Sequence, residues 1–294
     1  MIAMQLLILG LGYTGTEIAR RAVAAGIAVT ATSRTPDRLV PPEGVNLIRF
    51  GEAAGAIQAA THILQTAPPD EAGDPALARF PFDRPRWVGV LGTTGVYGDR
   101  GGAWVDEDTP PAPTGPRGQR RLDAEHAWTR AVPHSRLDLF RVAGIYGPHR
   151  SVLDEVRAGR ARRVDKPGHL FGRIHRDDIA TAVLVALQQP RDPGPRILNL
   201  ADDEPAANAD VTAYAARLLR APEPPIVAYE AALAAMSPMG RSFWAENRRV
   251  ASRKTQQRLG LTWRYPTYRE GLQAILAAEA AVGVDGTHEQ PAGS

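Results

Sequence analysis

Six residues near the start of the chain carry the plainest chemistry. Gly10-Leu11-Gly12-Tyr13-Thr14-Gly15 is a G-x-G-x-x-G that follows a short apolar run, Gln5 to Leu9, and precedes an alanine-rich stretch. In a strand–loop–helix setting, the first glycine makes the tight turn and the second lets backbone approach a pyrophosphate. The third allows close helix–strand contact. The helix N-terminus then offers unpaired N–H groups to the anion, so the loop predicts dinucleotide binding. About 20 residues further on, an acidic residue commonly holds a free ribose 2′-hydroxyl. Here the chain reads Thr32-Ser33-Arg34, with no acid before Asp37. A hydroxyl and a guanidinium suit a 2′-phosphate that a carboxylate would repel, so Ser33, Arg34 and Arg38 point to NADP(H), with NAD(H) second.

Other chemistries find little support. The 294 residues contain no cysteine, which excludes disulfides, thiolate metal sites and a cysteine nucleophile. The histidines lack paired metal-ligand spacing, so no metal is expected, and no G-x-S-x-G elbow signals a serine hydrolase. The net charge is only +3 with dispersed arginines. The basic stretch Arg157 to Arg163 has no aromatic residues among its arginines and reads as a solvated face, so no nucleic-acid partner is expected. Apolar runs all fall short of a membrane span, and the N-terminus lacks a basic leader region. Cytoplasm is the expected compartment, with no membrane partner.

The elements that must position these residues alternate. Strands are predicted at Gln5 to Leu9, Ile27 to Thr32, Asn46 to Phe50, His62 to Ala67, Arg86 to Gly92, Leu137 to Val142 and Arg196 to Leu200. Helices are predicted over Tyr13 to Ala25, Asp154 to Arg163, Asp177 to Gln189, Asn208 to Arg220 and Arg269 to Ala280. This alternation implies an α/β fold, a Rossmann-type doubly wound parallel sheet. The acidic stretch Asp106-Glu107-Asp108 reads as a solvated loop, and Tyr97 and Tyr146 as packing residues.

Three later segments share a pattern with the glycine loop. They are Gly92-Thr93-Thr94-Gly95-Val96-Tyr97-Gly98, Arg141-Val142-Ala143-Gly144-Ile145-Tyr146-Gly147-Pro148 and Arg173-Ile174-His175-Arg176-Asp177-Asp178-Ile179-Ala180. With Tyr265-Pro266-Thr267-Tyr268 near the end, the chain resembles the extended and atypical short-chain dehydrogenase/reductases, the NAD-dependent epimerase/dehydratase superfamily, in its YeeZ-like branch. The resemblance spans nearly the whole chain in order. It implies a dinucleotide-binding core over 1–150 and a mixed region over 151–282. That region returns to the core at about 174–200 and forms a smaller C-terminal α/β substrate domain, and a flexible tail over 283–294 follows. It implies cofactor contacts at Gly10, Gly12, Tyr13, Thr14, Gly15, Ala67, Pro68, Val142 and Gly144, and substrate contacts at Arg173 and His175, although His175 reads equally as a satisfied histidine packing the helix start at Asp177. A homodimer paired through the active-site helix is implied as well.

In that family a Ser/Thr and a Tyr-x-x-x-Lys pair carry the proton chemistry, the lysine lowering the tyrosine pKa. Thr93 matches the Ser/Thr. The dyad positions hold Arg117 and Arg121, and neither lysine of the chain, Lys166 or Lys254, lies four residues after a tyrosine. A guanidinium stays protonated, so it cannot replace the tyrosine as proton donor, although it can stabilise an oxyanion. Two functions therefore stand at this point. One is an NADP-preferring oxidoreductase or epimerase acting on a sugar-like or anionic carbonyl or hydroxyl small molecule. The other is a non-catalytic NADP(H)-binding sensor or scaffold.

Overall fold

The computed structural model describes residues 4–83 and 85–285. Seven strands form one parallel sheet: β1 (Gln5–Leu9), β2 (Ala28–Ser33), β3 (Val45–Arg49), β4 (His62–Gln65), β5 (Trp87–Leu91), β6 (Arg136–Val142) and β7 (Gly194–Leu200). Their order across the sheet is 3-2-1-4-5-6-7, the Rossmann order with a seventh strand added. Every pairing is parallel, so both faces must be covered, and the central strands read as unbroken apolar runs for that reason. Side chains alternate between faces along β1. Leu6 and Ile8 enter one core with α1 (Tyr13–Ala24), while Leu7 and Leu9 enter the other with α2 (Ala54–Ala59).

The first core also takes Ile179, Val183 and Leu187, and the second takes Trp128 from α3 (Pro116–Ala131). After α3 come α4 (Val152–Arg157), α5 (Arg176–Gln188), α6 (Asn208–Leu218), α7 (Tyr229–Ala235), α8 (Pro238–Trp244), α9 (Arg253–Leu259) and α10 (Tyr268–Asp285). A third, smaller core joins Leu153, Val211 and Ala215 to Tyr268, Leu272 and Ile275. Two short parallel pairs join this later part to loops that follow sheet strands, Gly144–Tyr146 with Arg173–His175 and Trp104–Val105 with Arg249–Val250, and a third, Arg163–Asp165 with Ile226–Ala228, lies within it.

Two sequence-based element ranges are corrected. The polar helix expected over Asp154 to Arg163 is α4, which starts earlier and ends at Arg157. Ser151 N–H donates to Asp154 Oδ2 at 2.8 Å and sets its start. Gly159, at φ +67°, then turns the chain into the short strand Arg163–Asp165. Of the tail expected over 283–294, residues 283–285 belong to α10, and residues 286–294 lie outside those described.

Candidate functional site

The glycine loop sits at the C-terminal ends of β1 and β4, where neighbouring crossovers run in opposite directions. Gly10 has φ +109°, and a Cβ there would stand 2.9 Å from Thr66 Oγ1. A Cβ at Gly15 would stand 2.8 Å from Gly10 O. At Gly12 nothing lies within 4 Å, so the loop is tight at its first and third glycines and open at the second. Gly12 caps α1, no side chain caps its first turn, and no acid lies in that turn. Thr14 is buried in the turn, and Tyr13 donates its hydroxyl to Pro148 O at 2.9 Å. The Tyr13 ring lies against Arg150 and Arg176, which ties the loop to the segment after β6.

At the end of β2, Ser33 Oγ accepts from Thr35 N–H at 3.1 Å. Arg34 and Arg38 are exposed, and neither guanidinium has a hydrogen-bond or ion-pair partner among the described residues. Asp37 is held by Arg49 at 2.7 Å, which neutralises the one nearby acid. Ala67 and exposed Pro68 follow β4 across the crevice.

Beyond the loop lies a cleft of about 450 Å³, lined by Thr93, Arg117, Arg121, Val142, Gly144 and Arg173 among others. Thr93 follows β5, and its Oγ1 accepts from Gly95 N–H at 3.1 Å, so its own proton remains available to a ligand oxygen. Arg117 and Arg121 stand one turn apart on α3. Arg117 lies 4.6 Å over the Phe243 ring, and burial draws its pKa down against the field of Glu246. Arg121 donates to Leu91 O at 3.0 Å; burial, with Arg117 adding to it, pushes it down to about 10. Both stay cationic at neutral pH.

The next turn of α3 carries Glu125, which takes a two-pronged ion pair from Arg141 at 3.1 and 2.8 Å with both side chains buried. Arg141 also lies 4.8 Å over the Tyr97 ring, whose hydroxyl donates to Asn199 Oδ1 at 2.8 Å. This buried network underlies the segment carrying Thr93 and fixes where β5 ends. Tyr97 is thus a packing residue with one satisfied hydrogen bond.

Two sequence readings are corrected at the cleft. Arg173 lines it, donating to Phe171 O at 2.9 Å and Ala206 O at 3.1 Å, but His175 does not. His175 is buried between the Tyr146 and Tyr265 rings, and its Nδ1 accepts from Asp177 N–H at 3.1 Å, capping α5. The acidic stretch before α3 is likewise no solvated loop. Glu107 is buried and accepts from Thr255 N–H at 3.1 Å and Thr255 Oγ1 at 2.6 Å, while Lys254 bridges Asp106 and Asp108. It anchors α9.

Sequence reasoning passed over Arg150, Leu170, Phe243, Trp244, Glu246 and Arg248, all of which line the cleft. The last four sit on or just after α8, far from any recognised motif, and only the fold brings them to Thr93. Among the described residues no cluster of His, Cys, Asp and Glu is placed to hold a metal, and no helix is long and apolar enough to cross a membrane. The basic stretch expected to be a solvated face pairs with carboxylates: Arg157 with Glu279, Arg160 with Glu155 and Arg163 with Glu223.

No family model matches the chain. A conserved protein of unknown function from Silicibacter pomeroyi DSS is 40% identical, with a TM-score of 0.83 over 94% of this chain and 99% of that one. Protein YeeZ of Escherichia coli K12 is 28% identical over 230 residues, 68% of this chain and 79% of YeeZ. The chain is similar to YeeZ in sequence and shares the fold of solved NAD-dependent epimerase/dehydratase proteins. Human epimerase family protein SDR39U1, solved with NADPH, shares the fold at a TM-score of 0.76 and 20% identity, over 93% of this chain and 99% of that one.

Buried histidines give the scaffold a pH limit. His62, His169 and His175 are buried, and burial lowers each from near 6.5 to about 4. Between those values the unfolded chain binds protons that the folded chain does not, so stability is full above about pH 6.5 and falls toward pH 4. Three such groups give a slope of at most about 4 kcal/mol per pH unit. Asp202, raised to about 8 chiefly by burial, works in the opposite sense with one proton, about 1.4 kcal/mol per unit, and Asp178 and Asp203, also raised by burial, act in the same sense as Asp202. The histidines dominate. The melting temperature is expected to drop steeply from pH 7 to pH 5, with proton uptake on unfolding; a flat profile over that range contradicts this assignment.

Proposed function

We propose that the chain binds NADP(H) in preference to NAD(H) and acts as an oxidoreductase or epimerase on a small anionic or sugar-like carbonyl or hydroxyl compound. The observation that carries this reading is the unfilled space over Gly12 between two sterically locked glycines. The residues present fit the cofactor: Gly10, Gly12, Thr14 and Gly15 would cradle the pyrophosphate, and Ser33, Arg34 and Arg38 the 2′-phosphate. Ala67, Pro68, Val142 and Gly144 would line the way to the cleft. SDR39U1, of the same fold, was solved with NADPH, which agrees with this choice.

When bound, the nicotinamide supplies or accepts a hydride. The chain's own part is to orient and to stabilise charge. The Thr93 hydroxyl donates to a substrate oxygen, and Arg121 and Arg117 hold negative charge developing there. Neither arginine releases a proton readily, so no tyrosine-type relay operates and turnover is slow unless the substrate or solvent carries the proton. That same pair of arginines favours a second reading, a cofactor-loaded sensor without turnover.

Arg34→Ala separates the cofactor assignment from a general anion effect. Loss of a charged hydrogen bond is expected to weaken NADPH by about 1–3 kcal/mol and leave NADH nearly unchanged. Calorimetric titration of both cofactors reads it, and an equal loss for the two removes Arg34 from the 2′-phosphate.

A further inference from the structure

The cleft is charged in one sense. Of the five arginines in its lining, Arg248 is paired with Glu246 at 2.6 Å, and Glu246 is the only carboxylate there. Arg117, Arg121, Arg150 and Arg173 form no ion pair among the described residues. Partly or wholly buried guanidiniums without an ion pair are costly to hold, and gathering them in one cleft raises that cost through mutual repulsion. A ligand that supplies the missing charge recovers it.

The four do not all face the same end. Arg150 lies 5.3 Å over the ring of Tyr13 in the glycine loop, on the cofactor side. Arg117 and Arg121 project from α3 beside Thr93, and Arg173 comes from the short strand paired with Gly144–Tyr146. Three guanidiniums without an ion pair therefore bracket the space before Thr93 from two walls, although the fields of Glu246 at Arg117, Glu125 at Arg121 and Asp202 at Arg173 offset part of their charge. That space is limited, since the cleft of about 450 Å³ has also to admit the nicotinamide end beside Thr93, Val142 and Gly144.

We propose, resting on the cofactor reading above, that the cleft takes a compact substrate bearing at least two negative charges, a small phosphorylated or dicarboxylic hydroxy or keto compound. Arg117 and Arg121 hold one anionic end and Arg173 the other, with the hydroxyl or carbonyl against Thr93. Guanidinium forks match both phosphate and carboxylate oxygens, so the shared feature is the dianion. The unpaired charges select against neutral compounds.

The test is thermal unfolding and calorimetry of the full chain, both without cofactor and saturated with NADPH. The probes are inorganic phosphate, malonate, acetate, glycerol and UDP-glucose. Phosphate or malonate is expected to bind at least about tenfold more tightly than acetate, with glycerol inert; whichever of the two binds better tells phosphorylated from dicarboxylic substrates. Arg117→Gln is expected to erase most of that preference and Arg117→Lys to keep part of it. Arg117 is half-buried without an ion pair, so both variants should fold, and their melting temperatures check this. Dianions no better than acetate, or an Arg117→Gln protein with undiminished preference, would overturn the proposal. Tighter binding of UDP-glucose than of either small dianion would overturn the compact substrate. Failure to bind NADPH while phosphate still binds would strike the cofactor reading alone.

Discussion

Gly12→Val is expected to abolish dinucleotide binding in a protein that still folds. Gly12 has φ −99° and ψ −169°, extended backbone in which valine is comfortable. Nothing lies within 4 Å of the new Cβ, so no packing is disturbed. The isopropyl group would occupy the space through which a pyrophosphate must reach the first turn of α1. Affinity for NADPH and NADH should fall together by about 100-fold or more, since overpacking alone costs about 1–3 kcal/mol and the lost N–H contacts add to it. Far-UV dichroism and melting temperature should stay near the wild-type values. Gly10→Ala is the contrasting case: with φ +109° and Thr66 Oγ1 at 2.9 Å, it should destabilise the fold itself. Undiminished binding by folded Gly12→Val places the cofactor elsewhere.

Arg117→Tyr combined with Arg121→Lys should create carbonyl reduction in a site that otherwise lacks a proton donor. Both positions line the cleft beside Thr93 and stand one helical turn apart, so the new hydroxyl and ammonium share one face. The lysine can also keep the hydrogen bond to Leu91 O that Arg121 makes. A positioned general acid contributes about 10²–10⁴-fold, and NADPH oxidation with small ketones should rise by that order over the wild type. Loss of the Arg117 contact with Phe243 should cost little, because the Phe243 ring is exposed and a cation–π contact open to solvent is worth about 0.5–1 kcal/mol. A double variant that binds NADPH but gains nothing shows that Thr93 and its surroundings are not a competent site. Fast wild-type turnover that disappears in Thr93→Ala shows instead that another acid has taken over.

What could be seen in the sequence was what depends on near neighbours. β1, β4 and β5 are buried on both faces, and their apolar runs mark them within a residue or two. The glycine loop is equally local, since its geometry is set by six consecutive residues. Pairs such as Trp104–Val105 with Arg249–Val250 leave no periodicity, because two residues cannot show one, and their partner lies more than a hundred positions away. Glu107 reads as a surface acid until Thr255 arrives to cover it. For His175 the local cap on Asp177 was open to a sequence reading, but its two tyrosine neighbours come from separate segments that only the fold brings to it. The charge of the cleft was hidden for a related reason. Its arginines are ordinary one by one, and only folding shows that Arg117, Arg121 and Arg173 line one cleft without a carboxylate partner.

Calorimetric titration of the wild-type protein with NADPH and with NADH, at matched salt, tests the central claim most directly. The free guanidiniums of Arg34 and Arg38 and the neutralised Asp37 predict saturable binding of both, with NADPH tighter by about tenfold or more, as one or two charged hydrogen bonds provide. Binding of neither cofactor, or tighter binding of NADH, contradicts it.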